Sequence, residues 1–259
     1  MKKRQEKNLE KLTKAAEREN SQAMLTLGSM YYWGKGIEPD TEKAIFWLKR
    51  AADTGSHSAC LNLAHVYYKL GDTEENNQLA WKYYYEAYMY DSKNALFLGR
   101  MIFDNRVDKI DNEQQRLDEA KDFFNEALAE GGVSEAGLYL WKIALLSGKS
   151  IDEADSYYLN GESLLESPKD YNNWAWLLCE WGEYEKALPY IEKSLSMEEQ
   201  GKENPDHLDT YAECLSGLER KAEAEHAFRE AIKGYQERDI RKLLRDTCEK
   251  VKACGFEIE

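Results

Sequence analysis

Small and aromatic residues recur along this chain at a fixed offset of 36 positions. The residue pairs related by this offset are Ala16 and Ala52, Ala23 and Ala59, Leu27 and Leu63, Tyr31 and Tyr67, Ala44 and Ala80, Trp47 and Tyr83, and Ala51 and Ala87. So many matches at one period indicate a tandem repeat. A repeat unit of this size buries its apolar face only by stacking on its neighbours, so the period predicts a repeat architecture.

The spacing inside one unit predicts two helices joined by a short turn. Apolar residues fall at i, i+4 and i+8 in the first half and at i, i+3 and i+7 in the second, which places them on one face of each helix. In the turn 34–40, Gly34 and Gly36 permit a positive φ and Pro39 prevents the first helix from continuing. We therefore expect an all-α fold, an α-solenoid of stacked antiparallel helix pairs.

The first unit resembles the Sel-like repeat (SLR), a relative of the tetratricopeptide repeat (TPR). The residues that carry the resemblance are Leu27, Gly28, Tyr31, Gly34, Gly36, Ile37, Asp40, Lys43, Ala44, Trp47, Ala51, Ala52 and Gly55. The resemblance implies a right-handed superhelix whose concave wall is lined by the first helix of each pair. It also implies a non-catalytic scaffold or adaptor that binds a protein or peptide in this groove.

The pattern continues along the chain and predicts a single solenoid over residues 1–259. Its parts are an N-terminal cap helix (1–20), four Sel-like units of which the last two are degenerate (21–166), two units that resemble plain TPRs (168–234), and a C-terminal cap helix (235–259). We expect the last helix to carry Lys and Arg on its outer face, because terminal repeats need polar caps for solubility. In the last TPR unit Glu219 stands where the turn glycine is expected, so the geometry of that turn is left open.

The third unit has a longer loop between its helices, from Asp104 to Gln115. Its acidic residues are Asp104, Asp108, Asp111 and Glu113. The loop lacks the alternating oxygen ligands and the central glycine of an EF-hand, so we expect a solvated loop rather than a calcium site. Contact with a partner is the alternative role for such an insertion.

Aromatic residues at repeat positions are expected to belong to the core rather than to a cofactor site. They are Tyr31, Trp47, Tyr67, Tyr83, Phe123 and Tyr157. Because each recurs at helical spacing with small residues around it, packing between stacked helices accounts for them.

No motif in the sequence supports catalysis, a cofactor or a metal ion. The four histidines form no HExxH motif, and the five cysteines lack the spacing of zinc or redox sites. Neither a GxSxG motif nor a phosphate-binding GxxxxGK[ST] loop occurs. We therefore predict that the protein is not an enzyme and takes no cofactor.

Through the resemblance to TPRs, the groove positions can be assigned residue by residue. They are Tyr32, Trp33, His65, Tyr68, Arg100, Phe103, Lys142, Asn172, Trp176, Glu180, Asp209 and Glu213. The carboxylate clamp of some TPR domains needs Lys, Arg and Asn at such positions. Of Asn172, Trp176, Asp209 and Glu213 only the asparagine fits, so we do not expect a clamp.

Charge limits the choice of partner and offers a second hypothesis. The formal net charge is −14, which argues against binding to nucleic acid. Residues 151–234 hold 8 Lys and Arg against 20 Asp and Glu, a net charge of −12. An acidic groove end steers basic partners. The alternative function is therefore that of an immunity or inhibitor protein that neutralises a basic toxin or enzyme through its acidic C-terminal third.

The N-terminal residues contain no apolar stretch typical of a secretory signal, and no segment is long and apolar enough to span a membrane. We expect a cytoplasmic location, unless a leader segment was removed, and no association with membranes. An enzyme or small-ligand sensor that uses the groove as a pocket is the third and least supported hypothesis.

Overall fold

The computed structural model describes residues 2–107, 110, 112–199 and 203–256. Within these ranges the chain forms fourteen α-helices, one short 3-10 helix (Ser92–Asn94) and no strand. The α-helices are α1 (Lys2–Glu17), α2 (Ser21–Trp33), α3 (Thr41–Asp53), α4 (His57–Lys69), α5 (Glu74–Tyr88), α6 (Ala95–Phe103), α7 (Glu113–Ala129), α8 (Ser134–Leu146), α9 (Ile151–Glu162), α10 (Pro168–Glu180), α11 (Tyr184–Ser196), α12 (Pro205–Gly217), α13 (Lys221–Glu237) and α14 (Arg241–Ala253). The prediction of an all-α chain built from helix pairs is confirmed.

Polar residues just before the helices explain where they begin. The side chains of Asn20, Asp40 and Ser56 accept hydrogen bonds from backbone N–H groups in the first turns of α2, α3 and α4. Before α10, Ser167 and Asp170 exchange hydrogen bonds with each other's backbone N–H groups as a capping box. These side chains satisfy N–H groups that have no partner inside the helix.

The chain leaves several helices through a residue in the left-handed conformation. Gly34 has φ 67° and Gly182 has φ 76°, and neither pays a steric penalty there because glycine has no Cβ. Glu219, which replaces the expected turn glycine, adopts φ 59°. The turn between α12 and α13 therefore contains a residue in the left-handed conformation, although that residue is a glutamate. The positive φ strains the backbone there, because glutamate has a Cβ atom.

Replacing Glu219 with glycine is expected to make the protein more stable than replacing it with alanine, by about 1 kcal/mol. Both substitutions remove the same side chain, but only glycine relieves the strain of the positive φ. The two variants are to be compared by their free energies of unfolding in urea. Equal stabilities would mean that this turn is not left-handed in solution.

Two compact units divide the chain: unit 1 is Met1–Val133 with Leu146–Gly148, and unit 2 is Ser134–Leu145 with Lys149–Glu259. In unit 1, Leu27, Leu48, Leu63 and Leu98 are almost completely buried between the helix pairs. In unit 2, Trp174 and Phe228 have no exposed surface. The single solenoid over 1–259 stays a prediction.

The repeat aromatics do contact the core, but not equally. Trp47 and Tyr83 are buried, whereas Tyr31, Tyr67, Phe123 and Tyr157 are only partly buried against core clusters. The residues next to three of them are more deeply buried: Tyr32, Tyr68 and Phe124. Tyr32 and Tyr68 belong to the cluster that contains residues of α3, α4 and α5, so the neighbouring helices cover them.

None of the helices in the described part combines the length and the hydropathy that a membrane span requires.

Candidate partner-binding surface

In each unit, one first helix contacts the first helix of the next pair. In unit 1, α2 contacts α4, and in unit 2, α10 contacts α12. We call the surface of α2, α4 and α6 the first-helix wall of unit 1, and that of α8, α10 and α12 the first-helix wall of unit 2. All twelve residues assigned to the groove from the sequence lie on these helices.

On the first-helix wall of unit 1, two adjacent aromatic residues differ in exposure. Tyr32 is buried, whereas Trp33 at the end of α2 is 41% exposed. Their rings meet edge to face, with centroids 4.7 Å apart. Tyr32 therefore packs against the indole, and part of the Trp33 ring remains exposed.

Tyr68 lies in a polar network that the sequence did not reveal. Its hydroxyl donates a hydrogen bond to Asp104 Oδ2 at 2.5 Å, and Arg100 Nε lies 3.6 Å from the same oxygen. The guanidinium of Arg106 sits over the Tyr68 ring at 4.1 Å and donates to the Tyr68 carbonyl. Burial is the main reason that the pKa of Tyr68 is raised to about 12.

This network changes the interpretation of the acidic loop after α6. Asp104 is exposed, as expected for a solvated loop, but it also accepts a hydrogen bond from Tyr68. Arg116 near the start of α7 donates to the Phe103 carbonyl. Glu113 is the first residue of α7 and lies 3.6 Å from Arg116. The loop is thus attached to the helices at both ends. Its other two acidic residues, Asp108 and Asp111, lie outside the described residues.

A cavity of about 800 Å³ lies beside this network, at the turn between α4 and α5. Trp81 and Val107 are apolar, but polar residues such as Asp72, Asn77 and Arg106 form most of the lining. Sites for small organic ligands are mostly apolar, so this cavity gives the small-ligand hypothesis little support.

His65 is enclosed by its neighbours on α4, α5 and α6. Its Nδ1 lies 2.7 Å from the Leu61 carbonyl, to which it donates, and the ring meets Phe97 and Tyr84 edge to face. Burial lowers the pKa of His65, and the charge of Arg100 lowers it further. Most of this imidazole is therefore part of the packing between helices.

On the first-helix wall of unit 2, Lys142 and Trp176 are half-buried and Glu180 is exposed. The Lys142 ammonium lies 5.5 Å from the centre of the Trp181 ring, within range of a cation–π interaction. Asn172 is half-buried, and its Oδ1 is buried without a hydrogen-bond partner.

The acidic residues Asp209 and Glu213 are paired inside the molecule. Lys250 of α14 lies 2.6 Å from Asp209 Oδ2 and 2.5 Å from Glu213 Oε1, and Thr247 donates to Asp209 at 3.0 Å. The prediction that the cap helix carries its basic residues on the outer face is wrong for Lys250. Because α14 packs on α13 and also reaches α12, this lysine points at the carboxylates.

The pKa values in this cluster reflect both burial and charge. Burial raises the pKa of Glu213 more than Lys250 lowers it. For Lys250, burial alone would lower the pKa, but Asp209 and Glu213 outweigh it, so the pKa is raised. The ammonium therefore stays charged and neutralises part of the acidic surface.

Ser194, His207 and Glu198 come together in unit 2, but not in the geometry of a catalytic triad. Ser194 Oγ lies 3.1 Å and Glu198 Oε1 lies 2.9 Å from the same atom, Nδ1 of His207. A triad uses opposite ring nitrogens for these two contacts. Ser194 also donates to the Pro168 carbonyl and is completely buried, so it is not placed to attack a substrate.

The stability of the protein is expected to fall as the pH drops below about 6.5. Burial lowers the pKa of both His65 and His207 from that value, and for His207 it outweighs the opposing charges of Glu198 and Asp206. A lowered histidine pKa gives stability that is present above the unfolded value and lost as the pH falls through the folded one.

Urea unfolding above and below pH 6.5 measures this effect. The substitution His65→Gln should flatten the pH dependence, and His226→Gln, at an exposed position, is the matched control. A wild-type protein equally stable on both sides of that pH would contradict the prediction.

Among the described residues, no group of three or more His, Cys, Asp or Glu side chains is arranged to hold a metal ion. All five cysteines lie in this part of the chain and are free thiols.

The chain is similar to solved repeat proteins over most of its length. A thermophilic TPR protein of Thermus thermophilus is 18% identical, with a TM-score of 0.52 over 76% of this chain and 98% of that one. A tetratricopeptide repeat protein from Parabacteroides merdae is 18% identical, with a TM-score of 0.50 over 93% and 91%. A protective antigen of uropathogenic Escherichia coli strains, with an SLR fold, is 20% identical with a TM-score of 0.49. The match covers 97% of this chain and 53% of the antigen, so the chain spans about half of the antigen's length.

The family model of the Sel1 repeat matches residues 21–56 and 57–89. These two matches contain the pairs α2–α3 and α4–α5. Repeats of the Sel1 and TPR type are generally scaffolds for protein–protein interaction. Residues 21–89 are thus similar to two Sel1 repeats, and the chain shares the helical fold of TPR proteins.

Proposed function

We propose that this protein is a non-catalytic scaffold or adaptor that binds a protein or peptide on the first-helix walls. The observation that carries the proposal is Trp33, a large aromatic side chain on α2 that is 41% exposed and supported by Tyr32. Tryptophan is enriched among the residues that dominate binding energies, because its large flat ring loses little conformational freedom when it is covered.

Other residues of the walls support a partner of mixed polarity. Phe103 and Trp176 are half-buried, Glu180 is exposed, and Lys142 is held over an indole ring. A contact surface with an aromatic centre and a polar rim is typical of specific interfaces. On the wall of unit 1, Phe103 adds complementarity to the anchor Trp33, and on the wall of unit 2, Trp176 and Lys142 offer a separate contact.

The proposal is tested by isolating partners from a native lysate and measuring their affinities for purified variants. Trp33→Ala is expected to weaken binding of a wall partner by at least about tenfold. Leu159→Ala on α9 is the control, because Leu159 is 60% exposed but lies on a second helix. If the partners bind the Trp33→Ala variant and the wild type equally well, the proposal that they bind the first-helix wall through Trp33 is wrong.

The inhibitor hypothesis remains a second proposal, but the pairing inside unit 2 weakens it. Asp209 and Glu213 already bind Lys250, so the exposed Glu180 and the acidic residues elsewhere would have to attract a basic partner. Reversing Glu180 to lysine is expected to lower the affinity for such a partner and its dependence on salt. If neither changes, a basic enzyme is not recognised here.

A further inference from the structure

Three large side chains are exposed at the C-terminal end of α5 and in the two residues that follow its last turn. Tyr85 is 46% exposed, Met89 is 67% exposed and Tyr90 is 70% exposed. Tyr85 and Met89 are four residues apart, one turn along the helix, so they share a face. We call Tyr85, Met89 and Tyr90 the edge patch. It lies on a second helix and its end, outside the first-helix wall.

Neighbouring rings hold the edge patch in place. The Tyr90 ring stacks on His57 of α4, with centroids 3.7 Å apart and planes 14° from parallel. The Tyr85 ring lies 5.9 Å from that of Tyr88, whose hydroxyl donates to Glu126 at 3.0 Å. Both tyrosines of the patch are therefore positioned before any partner arrives, which reduces the entropy lost on binding.

The surroundings of the edge patch are mainly acidic. Acidic residues in or just after the last turns of α3, α5 and α7 are Asp53, Glu86, Asp91, Glu126 and Glu130. The cations of the same region are fewer: Arg50 in the last turn of α3, which lies over the rings of Phe46 and Trp47, Lys93, which is exposed after α5, and Lys82, which lies 3.9 Å from Glu86. Helix C-termini carry partial negative charge, which adds to that of the carboxylates. The field at this edge therefore favours a positively charged partner.

We propose that the edge patch docks a basic, arginine-containing segment of a partner protein. A guanidinium stacks on exposed tyrosine faces, while its charge is compensated by the surrounding carboxylates. The apolar side chains of the same segment cover Met89, whose flexible thioether adapts to different shapes. This surface is additional to the first-helix walls, and one partner can bind it while another occupies a wall.

The test is a selection from a random peptide library against the full chain, with counter-selection against the variant Tyr85→Ala/Met89→Ala/Tyr90→Ala. We expect the retained peptides to contain arginine beside apolar residues. Their affinity should fall by at least about tenfold in the triple variant and when citrulline replaces arginine, since citrulline keeps the shape but not the charge. The matched control is Ile151→Ala/Leu159→Ala, at positions 69% and 60% exposed on α9, and it should bind like the wild type.

Several results would overturn the proposal. One is that no peptide distinguishes the wild type from the triple variant. Another is that the retained peptides are acidic or bind equally well with citrulline. Loss of binding in Trp33→Ala, but not in the triple variant, would assign the peptides to the first-helix wall. If the wild type self-associates in sedimentation experiments and the triple variant does not, the edge patch binds a second copy of the chain instead.

Discussion

Replacing Gly161 with valine is expected to destabilise the protein by about 3 kcal/mol. A Cβ atom at Gly161 would lie 2.6 Å from the Ser134 carbonyl oxygen and 2.8 Å from the ring of Trp174. Both neighbours are rigid, since one is backbone and Trp174 has no exposed surface. The helices α8, α9 and α10 would have to move apart to admit even one methyl group.

Urea unfolding measures this loss, with Asn160→Val as the matched control. Asn160 is the exposed neighbour of Gly161 on α9, so the same β-branched residue there should change the stability by about 0.5 kcal/mol or less. Gly28→Ala is a useful comparison, because a Cβ at Gly28 would lie 2.5 Å from Cγ of the buried Leu48, so this variant should also be destabilised. Equal stabilities of the Gly161→Val and Asn160→Val variants would contradict the close packing of α9 against α8.

Replacing Lys250 with alanine is expected to cost about 1–3 kcal/mol. The substitution leaves the carboxylates of Asp209 and Glu213 close together and partly buried, with side chains 13% and 26% exposed. We place the loss below that of a fully buried ion pair, because the Lys250 side chain is itself 38% exposed and solvent screens its charge.

Lys252→Ala provides the control for this prediction, since Lys252 is exposed on the same helix and should be replaceable without loss. Adding Asp209→Asn to the Lys250→Ala variant should restore part of the stability, because it removes one of the two like charges. The raised pKa of Lys250 means that its stabilisation is complete below its ordinary value of 10.5 and is lost as the pH rises through the folded value. Measurements near neutral pH therefore report the whole effect, and equal stabilities of the two lysine variants would refute it.

The residues assigned to the groove lie on the first helices of the pairs, as the sequence predicted, but the sequence did not predict how deeply each is buried. Tyr32 and Trp33 are neighbours on α2, and the repeat pattern predicted that both are groove residues. In the structure Tyr32 is buried and Trp33 is exposed. The pattern describes the spacing of residues along one helix. Burial depends on how the next helix pair is placed against it, and spacing alone does not contain that information.

The edge patch also escaped the sequence analysis, although its residues are prominent in the sequence. Tyr85, Met89 and Tyr90 fall in an aromatic segment at the end of α5, and aromatic residues in a repeat are usually core residues. The signal that could have found Tyr85 and Met89 is their position off the apolar stripe defined by Ala80, Tyr83 and Ala87. Tyr90 continues the spacing of that stripe but follows the end of α5, so spacing alone would have placed it in the core.

The sequence by itself determined the helical repeat, the order of the helix pairs and the places where they turn. These features depend on local information, namely apolar spacing, capping side chains and residues that accept a positive φ. Only the tertiary structure decided that Asp104 binds Tyr68 and that Lys250 binds Asp209. The residues of each pair are 36 and 41 positions apart and belong to different helix pairs, so only the packing of one pair on the next brings them together.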